Sequence, residues 1–359
     1  MASISLDGIA HTYQPKPSGD ADYALKPMHY QWEDGGAYAL LGPSGCGKTT
    51  LLNIISGLLK PSHGRVMFGE RDVTALPAEQ RNIAQVFQFP VVYETMTVAE
   101  NLAFPLRNRG MSPLESKQRV AQVLEMLGIE SLAQQKASGL GAEFKQIVSL
   151  GRGLVRNDAS AILFDEPLTV IDPALKWELR AQLKKVHRQF NHTMIYVTHD
   201  QTEALTFADK VVVMRDGEVL QVGTPQQLFD APQHTFVGKF IGSPGMNILP
   251  CQVHGGHASV GGHRVPMAGI YPTLQGKLEL GIRPEYIDLV ERETSAQGIP
   301  VNVLGVDDLG RHKIVSVGLN DLTVQALLPE GASLPTAPAM ILRPGQVRIY
   351  SDSALVSSP

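Results

Sequence analysis

Residues Gly42, Pro43, Ser44, Gly45, Cys46, Gly47, Lys48, Thr49 and Thr50 read GPSGCGKTT. They satisfy G-x-x-x-x-G-K-[S/T] and lie between an apolar stretch, YALL (38–41), and a helical pattern, TTLLNIISGLL. Glycines at this spacing let backbone N–H groups turn inward around phosphate oxygens, and the N-terminus of the following helix adds favourable partial charge. In such a loop Lys48 reaches β- and γ-phosphates and Thr49 ligates Mg²⁺. An ordinary glycine-rich turn is the alternative, and the strand-loop-helix context argues against it. Cys46 reads as a small residue tolerated in the turn, because no neighbouring His or second Cys would activate its thiol.

Downstream, AILFDEP places Asp165 and Glu166 at the C-terminal end of an apolar strand, where open α/β sheets gather their ligands. Asp165 suits Mg²⁺, and Glu166 suits a base that accepts a proton from an attacking water. A second unpartnered carboxylate would be costly as mere packing, so the pair favours catalysis. MIYVTHD ends a further strand at His199, whose imidazole is placed to contact a γ-phosphate or orient water. A lone histidine is more often structural; its place beside the phosphate loop lifts this one.

These groups need a sheet to align them. YALL, AILF (161–164), MIYV (194–197) and KVVVM (210–214) are short apolar runs separated by helical patterns, the mark of a parallel sheet covered on both faces. Ser112, Pro113 and Glu115 form a capping box ahead of Val120, Leu124 and Leu127, so a helical insert is expected over about 95–155. Another sheet-covering helix is the alternative. Beyond residue 241 short, Gly-punctuated strand-like runs replace this texture, as in a small β-barrel. The expected organisation is an α/β domain over 1–240 and an all-β domain over 241–359. His254, His257 and His263 read as loop histidines between strands, since no Cys or acidic residue completes a ligand set.

Composition narrows the classes. The 359 residues are 43% hydrophobic and 18% charged, with net charge −4, so disorder is excluded and no basic excess points to nucleic acid. No apolar run approaches the ~18–20 residues that span a bilayer. The N-terminus lacks the pattern of a secretion signal, and two cysteines make no disulfide framework, which points to a reducing cytosol.

With these motifs in place the chain resembles the ATPase subunits of ABC transporters, specifically the sugar- and polyol-importer type: a P-loop NTPase domain with a helical subdomain, followed by a small OB/TOBE-like barrel. The resemblance implies ATP and Mg²⁺ as ligands and adds Tyr13 as the ring that stacks on adenine, with Tyr23 as its competitor. It also implies Gln88, in VFQFP, as a Mg²⁺-contacting glutamine, and Asp172 as the aspartate of the loop after Glu166. It further implies two membrane permeases, a periplasmic solute-binding protein and a position on the cytoplasmic face of the inner membrane. The apolar residues Phe87, Phe89, Val91, Val92 and Tyr93 would help dock a permease, or else pack in the core. Non-transport ABC ATPases are the rival class, but the chain has a single phosphate loop and no heptad run. A subunit that only binds ATP is a second rival, against which Glu166 speaks.

One stretch departs from the family. Where the family has LSGGQ, whose donors cap the γ-phosphate held by the opposite subunit, this chain reads KASGLGAEFKQIVSLGRGL. Counting back from Arg152 and Leu154 places LGAEF (140–144) on the motif; matching ASGLG (137–141) instead shifts the helix by nearly one turn. Under the preferred register Gly141 replaces the hydroxyl donor, Ala142 a glycine, and Glu143 adds negative charge beside a triphosphate. The expectation is a heterodimer in which a second ATPase subunit with an intact LSGGQ completes this chain's site. The texture ASGL…FKQIVSLGRGLVR…LFDEPLTVIDP resembles the paired, unequal ATPases of the bacterial glycerol importer.

Overall fold

The computed structural model describes residues 3–271, 274–294 and 298–357. The chain divides into two compact units, Met1–Pro225 and Gln226–Pro359.

In the first unit β1 (Ile4–Thr12) and β2 (Tyr23–Trp32) pair antiparallel and are followed by β3 (Ala37–Leu41), α1 (Lys48–Ser56), β4 (His63–Phe68), β5 (Arg71–Asp72) and β6 (Ile83–Val86). Helices α2 (Val98–Arg107), α3 (Pro113–Leu127) and α4 (Ala142–Leu154) come next. The unit continues through β7 (Ala161–Asp165), α5 (Pro173–Phe190), β8 (Met194–Thr198), α6 (Gln201–Phe207), β9 (Lys210–Arg215) and β10 (Glu218–Gly223). One sheet has the order β10-β9-β3-β8-β7-β6, parallel throughout except that β10 runs antiparallel to β9. Its central strands β3 and β8 are buried along their full length, which is why their sequences are continuously apolar rather than alternating. The other sheet, β2-β1-β4-β5, is antiparallel, and its pattern was not read from the sequence. Trp32, Ile4, Ile9 and Leu25 from this sheet and Leu51, Leu52 and Ile55 from α1 share one core.

The insert begins and ends as helix chemistry dictates. Ser112 caps α3 with Glu115 closing the box and Pro113 in the first turn, and Val120, Leu124 and Leu127 are buried. Thr97 and Glu100 form a second capping box on α2. The three helices α2, α3 and α4 pack on one another, and α4 also packs on β6.

The second unit holds short antiparallel sheets around their own apolar core, including the strands Asn247–Pro250, Leu278–Ile282 and Arg348–Ser351 in one sheet and His312–Leu319 and Leu322–Pro329 in another. His254 and His257 are cross-strand neighbours with ring centroids 5.8 Å apart. This unit, from Gln226, includes α8 (Thr235–Phe240) and all but the first residue of α7 (Pro225–Asp230). The buried Arg283 guanidinium donates to the carbonyls of Phe229 at 2.7 Å and Ile241 at 2.6 Å and stacks 3.7 Å from the Phe229 ring centre. The Tyr350 hydroxyl donates to Pro232 O at 3.0 Å. A buried guanidinium must find acceptors, and the helix ends supply them.

Candidate active site

The phosphate loop leaves the end of β3 and enters α1. Gly47 adopts φ 99°, a left-handed conformation, and a Cβ there would strike the Ala24 carbonyl; only glycine fits this approach. At Gly42 a Cβ would collide with the Met214 carbonyl. The loop is thus pressed between β2 and the end of β9. Tyr13, Ala24, Ser44, Gly45, Gly47, Lys48, Thr49, Thr50 and Glu166 line a cleft of about 290 Å³.

Lys48 is 5% exposed, and its ammonium donates to the carbonyls of Gly42 at 2.8 Å and Pro43 at 2.9 Å, at the floor of the loop. Thr49 donates its hydroxyl to Asp165 Oδ1 at 3.0 Å, so the first helical turn of α1 meets the end of β7. Burial pushes the Asp165 carboxyl above the usual range, opposed by the Thr49 hydrogen bond, raised further by Glu166 and lowered by Lys48. The Tyr13 hydroxyl lies 3.1 Å from Thr50 Oγ1, and its ring, 65% exposed, packs edge-on to His11. Tyr23 is not among the residues lining the cleft; its ring neighbours His63.

Glu166 takes φ +45°, unusual for a residue with a side chain. Left-handed backbone of this kind costs about 1–3 kcal/mol and is held only where the surroundings over-determine it. Its amide donates to Val197 O at 3.0 Å, and its carbonyl accepts from Thr169. The turn aims the carboxylate across to β8, where His199 Nδ1 lies 3.1 Å from Glu166 Oε2. A carboxylate only accepts, so Nδ1 carries the proton of this bond.

Gln88 sits on the bend after β6 and, like Asp165, is not among the residues lining the cleft. The loop from 87 onward is held against α4, as described below. Cys46 belongs to the loop by backbone alone: its side chain is 4% exposed, packs in the core, and lies 3.9 Å from Lys48 Nζ. Burial pushes its thiol up, with the Lys48 charge opposing. Asp172 caps α5 by accepting from Ala174 N at 2.9 Å.

Two residues that position the site escaped the sequence reading. Glu203 is 4% exposed and accepts from Thr198 Oγ1 at 2.8 Å and Tyr196 OH at 3.1 Å, fixing the end of β8 just before His199. Its signal was the spacing Asp200 to Glu203, an N-cap and third helical residue, and Asp200 does cap α6. Gln146 is fully buried and donates to Phe87 O at 3.0 Å and Pro167 O at 2.9 Å. A single amide within an apolar stripe of α4 was the only hint of it.

A glycine loop feeding α1, a carboxylate meeting Thr49, and a Glu-His pair on neighbouring strands define a P-loop nucleoside triphosphatase of the ATP-binding cassette class. Comparison with known proteins agrees. Residues 25–169 match the family model described as ABC transporter, and residues 242–287 match the MalK OB fold domain. The sulfoquinovosyl glycerol transport ATP-binding protein of Agrobacterium fabrum is 38% identical over 92% of this chain and 91% of its own length. The sn-glycerol-3-phosphate import ATP-binding protein of Escherichia coli is 36% identical over 88% of this chain and 90% of its own length. Among solved structures, a dimeric post-hydrolysis ATP-binding cassette bound to ADP and Pi has TM-score 0.55 and 29% identity over 62% of this chain and 98% of that one. The chain belongs to the ATP-binding subunits of ABC transporters, in the sugar- and polyol-importer group. It is an ATPase.

Proposed function

We propose that this subunit energises uptake of glycerol or a related polyol as one half of an unequal ATPase pair, seated on two permeases at the cytoplasmic face of the bacterial inner membrane and supplied by a periplasmic solute-binding protein. In this reading Lys48 and the loop amides hold the β- and γ-phosphates, and Tyr13 stacks on adenine. Thr49 and Asp165 offer hard oxygen donors 3.0 Å apart, which suits Mg²⁺. When bound, the metal would neutralise charge on the phosphates. Glu166 accepts a proton from the attacking water, and His199 steadies that carboxylate and the γ-phosphate side of the cleft. Phe87, Phe89, Val91 and Tyr93 are 38–69% exposed, which favours a permease contact over core packing for them. A glycerol moiety is common to the solutes named for the relatives above, which supports a glycerol-bearing solute here.

The observation that carries the unequal pair is the start of α4. Its N-cap is Gly141, with no side-chain cap, followed by Ala142 and Glu143 in the first turn. A helix beginning there fits the register with LGAEF on the family motif, leaving no hydroxyl donor and one added carboxylate where a partner's γ-phosphate would sit. Like charges within a few ångströms cost about 1–4 kcal/mol at effective dielectrics of 80 to 20. A partner with an intact motif would complete this chain's cleft, while LGAEF would complete a weak one. Mixing tests it: ATPase activity that rises sharply when a second ATPase subunit is added supports the unequal pair, and full activity from this chain alone, unmoved by that addition, replaces it with a homodimer.

A further inference from the structure

The segment 87–94 leaves β6 without regular structure and is strapped to one face of α4. Phe87 O accepts from Gln146 at 3.0 Å, and Val91 N donates to Ser149 Oγ at 3.3 Å. Arg152 donates to Val91 O and lies 4.7 Å from the Tyr93 ring centre. Lys145 pairs with Glu94 at 2.6 Å. The four residues 145, 146, 149 and 152 recur at the spacing of one helical face. Four side chains of α4 thus hold the segment.

Gln146 differs from the other three. It is fully buried, and its amide nitrogen has two hydrogens with two acceptors, Phe87 O on the strapped segment and Pro167 O at 2.9 Å. Pro167 directly follows Glu166, whose left-handed backbone is held by its amide on Val197 O and its carbonyl on Thr169. The second polar atom of the same side chain, Oε1, is buried with no hydrogen-bond partner, so the amide is oriented by its donors alone. A shift of Phe87 O moves the shared donor, and Pro167 O must follow or be left unsatisfied.

We propose that Gln146 is a positioning residue for hydrolysis: its one amide couples the segment 87–94 to the peptide that carries Glu166, so that displacement of that segment resets the catalytic carboxylate. This rests on the reading of Glu166 as the base and adds the residue through which the segment reaches it. Gln146 does not line the cleft and acts through Glu166.

The test uses the full chain in whatever assembly hydrolyses ATP, comparing Gln146→Met, which keeps length and apolar bulk but removes both donors, in two backgrounds. With Glu166 intact, kcat is expected to fall about ten- to a hundredfold, the scale of loss when a catalytic group is displaced by about 1 Å, while KM for MgATP stays within about twofold. In a Glu166→Asp background, where the carboxylate is already misplaced, the same substitution should cost less than about threefold. A wild-type kcat for Gln146→Met, or equal losses in both backgrounds, overturns the proposal. If Gln146→Met does not fold, Gln146→Asn, whose amide is drawn back by one methylene, carries the same two-background comparison. Glu166→Asp alone leaving kcat unchanged would overturn the base assignment together with this proposal, whereas the outcomes above overturn this proposal alone.

Discussion

His199 Nδ1 stands 3.1 Å from Glu166 Oε2, and the two residues immediately follow adjacent parallel strands, β8 and β7. Their meeting depends on the left-handed turn at Glu166, which swings its carboxylate sideways along the sheet edge. If that carboxylate is the base, Glu166→Gln lowers kcat by about 10²–10⁴-fold while MgATP binding persists. Steady-state turnover beside equilibrium nucleotide binding reads the two separately. Loss of binding in parallel with turnover would make Glu166 a binding group instead.

Asp165 has its carboxyl raised, by burial first of all. A raised folded-state value favours the nucleotide-free fold on the acid side, and that contribution is lost as pH rises through the raised value. Metal binding runs the opposite way, since it needs the carboxylate. MgATP affinity should therefore weaken as pH falls, beginning at a higher pH than an ordinary aspartate would give. Affinity titrated against pH checks this, and Asp165→Asn should flatten the acid limb; an unchanged limb would place the titrating group elsewhere.

Tyr13 and Tyr23 make different predictions. Only Tyr13 lines the cleft, so Tyr13→Ala should raise the Kd for ATP by about 5- to 100-fold, the equivalent of about 1–3 kcal/mol for an aromatic ring stacked on a base. Tyr23→Ala should leave it unchanged. Fluorescent-nucleotide displacement on both variants distinguishes them, and the reverse ranking would transfer the stacking role to Tyr23.

Arg81 is 3% exposed and donates to Ile54 O at 2.7 Å, Ile55 O at 3.0 Å, Leu76 O at 2.9 Å and Thr74 O at 3.1 Å. Two of those carbonyls close the C-terminal turn of α1, where a cation is favoured by the helix dipole. Arg81→Ala strands several buried acceptors and should cost about 2–3 kcal/mol. A urea unfolding midpoint of the first unit that does not fall would show the carbonyls find water instead.

Replacing Gly141, Ala142 and Glu143 by Ser, Gly and Gly restores a hydroxyl and removes the carboxylate at the start of α4. ATPase activity of the chain without any other ATPase subunit should then rise at least about fivefold, the low end of the like-charge cost in water. Unchanged activity would mean that this helix start never faces a nucleotide.

How much of this could be read beforehand follows from the range of each interaction. The P-loop, the helix start at Ser112, and the buried parallel strands are local: capping, glycine spacing and apolar runs act over a few residues, and β3, β7, β8 and β9 all form where such runs lie. The antiparallel sheet of β1, β2, β4 and β5 was harder, because its strands pair across intervals of chain and β1 carries bulges that break the alternation a strand should show. In the second unit Arg283 and Tyr350 hold carbonyls far off in sequence, Tyr350 reaching Pro232 O across more than a hundred residues.

Residue types and their spacing determined on their own that this polypeptide would cradle a nucleotide, bring a carboxylate pair to a strand end and add a separate β-rich unit. Which way Glu166 points, and that Gln146 joins two loops through one amide, were decided only in three dimensions. Backbone strain and shared hydrogen bonds depend on atoms brought together from distant segments, and such proximity leaves no trace in the order of the residues.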